Sequence, residues 1–342
     1  MKTNITMRDI ANKIGVSSVT VSKALNDKEG VSEELRNKIK ALADEMGYRY
    51  NTMAKSMKDG RSYNICVVIP ERFTGDLRQS FYLKIYQYIA SVLEENNYYG
   101  IIHILSSTEE GNLTLPRIYH ENRVDGFILL GQTKREYIEL MQGTGMPLVL
   151  LDFYDQYDDV DTVISDSFYG AYEITNYLIN SGHKEIGFIG NIYATSSIQD
   201  RFLGYYKSLL EHKIKLNDSF VLNDRDDHGA LVDVTLPKKL PTAFVCNCDK
   251  VAHTLLTKLK SNGYHVPEDC SIVGFDNDIY ATLTTPHLTT VEVDIQEMAR
   301  TAVKFMCGKM EDRSTTFGRA TIKGKIIYRD SVKVIQDSNT KA

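Results

Sequence analysis

The sequence predicts an all-α helix-turn-helix headpiece followed by an α/β portion made of two doubly wound parallel-sheet subdomains. Three observations predict it. Residues 5–49 carry three short amphipathic helix patterns, each with a capping residue and two of them closed by Gly. From residue 63, short all-apolar runs alternate with helical stretches, as in a parallel sheet covered on both faces. Charge divides in the same way. Residues 1–61 hold 12 Lys and Arg against 8 Asp and Glu, net +4, and the remainder holds 28 against 37, net −9. A basic arm on an acidic body is expected of a DNA-binding module joined to a unit with another task.

In the headpiece, Thr6 is placed to cap a first helix, with Asp9 three residues on completing a capping box. Ile10 and Ile14 fall on one face, and Gly15 supplies the tight turn. Ser17 caps a second helix that turns Val21 and Leu25 inward. Ser32 caps a third, with Leu35, Ile39, Leu42 and Met46 inward and Gly47 as its stop. Two helices joined by a Gly turn form the arrangement whose second helix enters the major groove. That helix starts with small groups, Ser17, Ser18 and Val19, and carries a cation at Lys23. A bulky or anionic first turn would be repelled by the phosphate walls. Shape alone leaves a second reading, a three-helix core element with a solvated face.

The chain has 342 residues, enough for two or three compact units, with 42% hydrophobic and 25% charged residues. No apolar run approaches membrane-spanning length, and the first twenty residues lack the apolar stretch of a secretory signal. A cytoplasmic protein with no membrane partner is expected. The five cysteines, Cys66, Cys246, Cys248, Cys270 and Cys307, fit no zinc or redox spacing and are read as free thiols. Cys246 and Cys248 are expected on one face of a strand. No metal and no cofactor is expected.

Along the α/β portion, Ile65–Ile69 reads as a strand, Phe81–Glu95 as a helix and Ile101–Leu105 as a strand. Strands at 126–130 and 148–151 flank a helix near 134–141. A second array follows: a helix at 168–181, strand Glu185–Ile189, a helix at 198–212, strand Ala243–Cys246, a helix at 250–261 and strand Ser271–Phe275. Thr289–Val293 is extended, 294–307 helical, and Lys325–Tyr328 a last strand before a polar tail. Open α/β halves bind ligands beyond strand C-termini, here across a cleft.

Residues 5–61 resemble the headpiece of the LacI/GalR family of bacterial transcription repressors. The matching pieces are Thr6-Met7-Arg8-Asp9-Ile10-Ala11, Gly15-Val16-Ser17, Thr20-Val21-Ser22-Lys23, Leu25-Asn26, Val31-Ser32, Gly47-Tyr48 and Asn51. The later pieces Asp125-Gly126, Gly182-His183-Lys184, Ile189-Gly190, Arg201 with Gly204-Tyr205, Gly274-Phe275-Asp276-Asn277 and Thr289-Thr290-Val291 are similar to the family's sensor half, itself similar to periplasmic sugar-binding proteins. The resemblance implies a headpiece at 1–49, a hinge helix and linker at 50–62, a sensor N-subdomain of 63–163 plus 292–321, a C-subdomain of 164–291 plus 322–335, and a polar tail at 336–342.

The resemblance also implies roles. Ser18, Val19 and Lys23 face base edges, while Ser17, Thr20, Ser22, Asn26 and Ser32 hold the DNA backbone. In the hinge, Asn51, Ala54 and Met57 lie in the minor groove, Met57 standing where the family's wedge leucine is usual. Tyr50 stands where a proline is usual. The partners implied are double-stranded DNA with a pseudo-palindromic operator, a small-molecule effector and a second copy of the chain. With no leucine heptads after Ser331, a dimer rather than a tetramer is expected.

Several polar residues stand just past strand ends: Asp152, Asp166, Asn247, Asp249 and Asp276. A sugar needs paired acceptors, a planar donor and an aromatic face. Arg201 suits the donor, and the family's sugar-contacting arginine, aspartate and asparagine match Arg201, Asp276 and Asn247. Phe73 and Tyr169 are stacking candidates, with Phe81, Tyr82, Phe153, Tyr154, Tyr193 and Phe275. Asp166 is kept among the ligand candidates, though its favoured reading is a helix N-cap. Asp249 is expected to be such a cap, and His183 to be structural. The phosphate-loop, nucleophile-elbow and zinc-protease motifs are all missing, which argues against an enzyme. A carbohydrate-binding protein with a non-functional headpiece, or a regulator sensing a purine or nucleoside, are the alternatives.

Overall fold

The fold was obtained as a computed structural model that describes residues 5–49, 59–75, 81–155, 160–226 and 229–336. The chain divides into two units, Met1–Arg61 and Ser62–Ala342.

The first unit holds helices α1 (Met7–Ile14), α2 (Ser18–Leu25) and α3 (Glu33–Met46). Thr6 and Asp9 form the capping box, with Thr6 N–H donating to Asp9 Oδ2 at 2.8 Å. Gly15 ends α1 at φ +76°, a left-handed backbone conformation that strains residues with a Cβ. Ser17 accepts from Thr20 N–H at 3.0 Å and Ser32 from Leu35 N–H at 3.4 Å. Ile10, Val21, Leu25, Ile39 and Ala43 are the buried centre, and Leu35, Leu42 and Met46 pack half-buried around it. Arg36 ties α3 to the turn after α2, donating to Lys28 O at 2.8 Å and to Asp27 at 3.2 Å. The hinge residues Asn51, Ala54 and Met57 and the tail from 337 lie outside the described residues.

The second unit is built on two six-stranded sheets. The first contains, in spatial order, β11 (Arg319–Ile322), β5 (Asp161–Ser165), β4 (Leu148–Leu151), β3 (Gly126–Leu130), β1 (Asn64–Pro70) and β2 (Tyr99–Leu105), all parallel. The second runs β12 (Lys325–Ile327), β10 (Thr289–Glu292), β9 (Ser271–Asp276), β8 (Ala243–Cys246), β6 (Ile186–Ile189) and β7 (Val221–Leu222). Only β12 is antiparallel to its neighbour among these described pairings. The chain passes between sheets after β5, after β10 and after β11.

The inner strands β3 and β4 are buried at every position, which explains their unbroken apolar text. In the first sheet's layers lie α4 (Phe81–Glu95), α5 (Ser107–Gly111), α6 (Arg117–His120), α7 (Arg135–Gln142) and α11 (Ile295–Glu311); α11 packs on α4, β4 and β5. The second sheet carries α8 (Ser167–Asn180), α9 (Ser196–Glu211) and α10 (Asp249–Ser261). A Cβ at Gly204 would strike the Phe168 carbonyl, so the glycine lets α9 lie close against α8.

Several expectations need correction. β5, β7 and β11 were not evident in the sequence. Asp161 concealed β5 in the sequence: it is a buried carboxylate in an inner strand, satisfied by Lys309 Nζ at 2.5 Å and by the N–H groups of Phe317 and Gly318 at 2.6 and 2.7 Å. Cys248 does not share a strand face with Cys246, because β8 ends at Cys246 and Cys248 is already the N-cap of α10. Asp249 is not the cap. It is fully buried, accepting from Thr290 Oγ1 at 2.6 Å and Asp278 N–H at 3.0 Å, and Gly274 leaves it the space a Cβ would take. The connection from β7 to β8 shows no α-helix among its described residues, unlike a usual parallel crossover.

Candidate functional site

A cavity of about 210 Å³ lies where the C-terminal ends of the two sheets face each other. The 3-10 turn after β1 and the start of α4 bring Phe73, Phe81 and Tyr82, and the end of β4 brings Asp152. The opposite wall comes from Arg201 on α9, Asn247 and Cys248 between β8 and α10, and Asp276 at the end of β9. Sites of this kind sit at the strand C-termini because the chain must leave the sheet there and its side chains converge.

Arg201 is the centre of the second wall. It is 6% exposed. Nε donates to Ser167 Oγ at 3.3 Å, Nη1 to the Asn247 carbonyl at 2.5 Å and Nη2 to Asp276 Oδ1 at 3.3 Å. Its guanidinium carbon lies 3.8 Å from the Phe275 ring centroid. The guanidinium plane is therefore fixed before any ligand arrives. Burial pushes the Asp276 carboxyl up to about 7, against the pull of Arg201 and with repulsion from Asp278 and Asp152 added.

Asp152 forms the facing wall and accepts the Tyr82 hydroxyl at 3.0 Å. Burial pushes its carboxyl up to about 6, opposed by Arg201 and the Tyr82 hydrogen bond. Burial and Asp152 together push the Tyr82 hydroxyl far up, so it stays a donor. Asp152 has φ +68° and Asp276 φ +104°, left-handed conformations that are strained for residues with a Cβ. Such strain is concentrated where side chains must be aimed.

Asn247 has a different task. Its Nδ2 donates to Ile189 O at 3.0 Å and to Asp224 Oδ2 at 2.8 Å. Its side chain is bound up in the wall, while its carbonyl holds Arg201. Asp224 in turn accepts Nε and Nη2 of Arg225 at 3.0 and 2.7 Å.

The predicted residues thus separate. Arg201, Asp276, Asn247, Asp152 and Phe73 come together at the cavity, and Phe81 and Tyr82 join them. Asp166 and Tyr169 do not. Asp166 caps α8 by accepting Tyr169 N–H at 3.0 Å, and Tyr169 is 40% exposed with Lys323 above its ring. The local cap geometry of α8 holds both away from the cavity. Tyr193 is 86% exposed, Phe153 is core, and Phe275 backs Arg201 rather than lining the space. Tyr154 donates to Asp200 at 2.9 Å, a bond between the loop after β4 and α9. His183 is buried between Thr242 and the Lys333 carbonyl, a structural position. The sequence did not flag Arg72, Arg225, Leu231, Lys250, Asp278 or Tyr280, all of which line the cavity. Asp278 alone had a signal, standing two residues beyond Asp276.

In the headpiece, Ser17, Ser18, Val19, Lys23, Asn26 and Ser32 are exposed, and Thr20 and Ser22 are half-buried. Val19 is 62% exposed, an unusual position for an apolar side chain in a helix whose other apolar groups are buried. The Ser17 and Ser32 hydroxyls cap helices, the Ser17 hydroxyl also pairs with Thr20 Oγ1 at 2.9 Å, and Asn26 Nδ2 donates to Ser22 O at 2.8 Å. Ser18, Val19 and Lys23 thus stand on the open side of α2, which carries no acidic residue in its first turn.

Among the described residues, no helix is long and apolar enough to cross a membrane, and no group of His, Cys, Asp and Glu is arranged to hold a metal ion.

Comparison with known proteins agrees with this architecture. Residues 6–51 match the model for bacterial regulatory proteins of the lacI family, and residues 175–332 match a periplasmic binding protein-like domain. The transcriptional regulator RegA of Clostridium saccharobutylicum is 30% identical over 338 residues, covering 95% of this chain and 98% of RegA. The transcriptional repressor PurR of Vibrio campbellii is 27% identical over 334 residues, covering 96% and 98%. The lac repressor dimer bound to operator and the anti-inducer ONPF has the same fold, with TM-score 0.76 at 20% identity over 96% of this chain and 99% of that one. A headpiece whose second helix is open for reading DNA, a cleft between two parallel-sheet halves, and relatives matched over nearly their whole length lead to one conclusion: the chain belongs to the LacI family of DNA-binding transcription regulators.

Proposed function

We propose that the protein is a repressor that binds a pseudo-palindromic operator as a homodimer, and that a small polar ring compound, a sugar first of all, controls it from the cavity. The observation that carries this reading is the prearranged clasp of Arg201 and Asp276 facing Asp152 and Tyr82. A polyol offers both donors and acceptors in pairs, and this wall offers the complementary set. The aromatic pair Phe73 and Tyr82, with centroids 4.9 Å apart, supplies an apolar face for ring C–H groups. A purine or nucleoside is the second reading, favoured by the same flat aromatic surface.

Residues 63–165 plus 293–322 act as one half of the sensor, and 166–292 plus 323–335 as the other. Ligand contacts to both halves favour one relative arrangement, and linkage converts this into a change in operator affinity. The cavity binds and does not turn its ligand over, and the protein works in the cytoplasm. At the headpiece, Ser18, Val19 and Lys23 read bases, while Ser17, Thr20, Ser22, Asn26 and Ser32 set register on the phosphates. Asn51, Ala54 and Met57 serve the minor groove. A thermal-shift screen of sugars and nucleosides finds the ligand, because a cleft ligand raises the melting temperature. A gel shift with and without that ligand then tests control. An operator affinity indifferent to every cavity ligand would remove this reading.

A further inference from the structure

Beyond the Arg201 clasp, two further arginines line the cavity, Arg72 from one half of the sensor and Arg225 from the other. Four cations line it, Arg72, Arg201, Arg225 and Lys250, against the carboxylates Asp152, Asp276 and Asp278. The carboxylates that pair with Arg72 and Arg225 are Glu110 and Asp224, which are 3% and 1% exposed and lie outside the lining. Each arginine is thus paired with a buried carboxylate, and only Arg72 Nε and Arg225 Nη1 take no part in those pairs.

Arg225 stands in the β7–β8 connection, which shows no α-helix among its described residues. The described part of the segment turns back on itself, with an antiparallel bridge between Arg225 and Leu231 and Gly229 N–H donating to Asp226 O at 3.0 Å. Arg225, Gly229 and Leu231 of this turn all line the cavity. Two donors to Asp224 and one long contact from Nη2 to Asn247 Oδ1 at 3.4 Å fix the guanidinium. Across the cleft, Arg72 is held by Glu110 at 2.6 Å and by the Gln132 carbonyl, and its Cδ lies 3.6 Å from where a Cβ on Gly229 would be. One arginine belongs to each half, and both line the cavity.

We propose that the effector is an acidic monosaccharide whose anionic group is bound by Arg225 and Arg72, with Arg225 setting the specificity. The remaining N–H groups of a fixed guanidinium meet an anionic oxygen with charge on both sides, which a hydroxyl does not offer. Because the two arginines come from opposite halves, an anion held by both also ties the cleft shut. The proposal rests on the reading of this cavity as the effector site.

Matched pairs test it on the full-length protein: galactose with galacturonate, glucose with glucuronate, and glucose with glucose 6-phosphate, by thermal shift and calorimetry. The expected result is that an acid binds at least about tenfold more tightly than its neutral partner. The uronate and phosphate arms distinguish the two sources of negative charge. Arg225→Gln removes most of the preference for the acid, and Arg72→Gln does so independently should the first variant fold poorly. Three results would overturn the proposal: neutral sugars binding as well as the acids, no acid in the panel binding, or both variants keeping the preference. A neutral sugar or nucleoside that binds and changes operator affinity would refute the acidic class and leave the proposed function standing. Operator binding that no ligand alters would refute the proposed function itself.

Discussion

Arg201 donates to Asp276 at 3.3 Å from a guanidinium already stacked on Phe275, so the donor and acceptor expected to grip a ligand hold each other in its absence. Both are nearly enclosed, with side chains 7% and 11% exposed. The pair joins α9 to the end of β9, and its geometry is set by the second half alone.

Replacing Arg201 by Ala should abolish the response to ligand and leave operator binding intact. A hydrogen bond to a charged group contributes about 1.5–3 kcal/mol. The check is a thermal shift with ligand together with a gel shift. A variant that still responds like the parent would show that the ligand is held elsewhere.

The raised carboxyl of Asp276 sets a pH dependence with a definite sign. Its ordinary value is 3.8, and in the folded protein it is about 7. Between these values the folded state holds the proton more often than the unfolded chain, so its contribution to stability falls as pH rises. Asp152, at about 6, acts in the same direction over a narrower window. Melting temperatures from about pH 4 to about pH 8 should therefore decline more steeply for the parent than for Asp276→Asn. Parallel curves would show that Asp276 does not titrate in this range.

Asp249 serves the fold. Removing its carboxyl with Ala would strand the Thr290 hydroxyl and the Asp278 N–H in the interior. The loss should be about 1–3 kcal/mol of stability by denaturant titration. A smaller loss would mean that both groups find other partners.

Much of the headpiece was legible because its signals are local. Thr6, Ser17 and Ser32 each cap a helix within three residues, and Gly15 and Gly47 end theirs at positive φ. The cavity was legible in part. Asp152, Asn247 and Asp276 follow strands, and such positions point into a cleft. The same rule made Asp166 a ligand candidate, whereas its favoured reading as a helix cap is the right one; that cap reading is wrong for Asp249, which reaches a distant strand instead of its own helix. Arg225 left no trace in the sequence, because its place depends on an irregular crossover and on Asp224, itself buried by packing from other elements. β5 was hidden by the polar residues Asp161, Thr162 and Ser165, whose burial depends on partners far along the chain.

Lys23→Ala should relax the preference at one base pair of each half-site, the loss of one good base contact being about 1–3 kcal/mol. Operator variants measured one position at a time provide the check. An equal loss over all variants would place Lys23 on a phosphate.

Met57 is outside the described residues, and its proposed role is the minor-groove wedge. Met57→Ala should weaken operator binding and straighten the bound DNA, with non-specific, salt-driven binding nearly unchanged. An equal bend and equal affinity would show a hinge that does not work by insertion.

The central claim is that cavity occupancy and operator binding are linked. An operator is first selected from a pool of random DNA with the full-length protein, and its affinity is then titrated with and without the ligand giving the largest thermal shift. The account predicts that saturating ligand changes the operator Kd by about 5–150-fold, and that operator changes the ligand's Kd by the same factor. An operator Kd that is the same with the cavity filled and empty would contradict it.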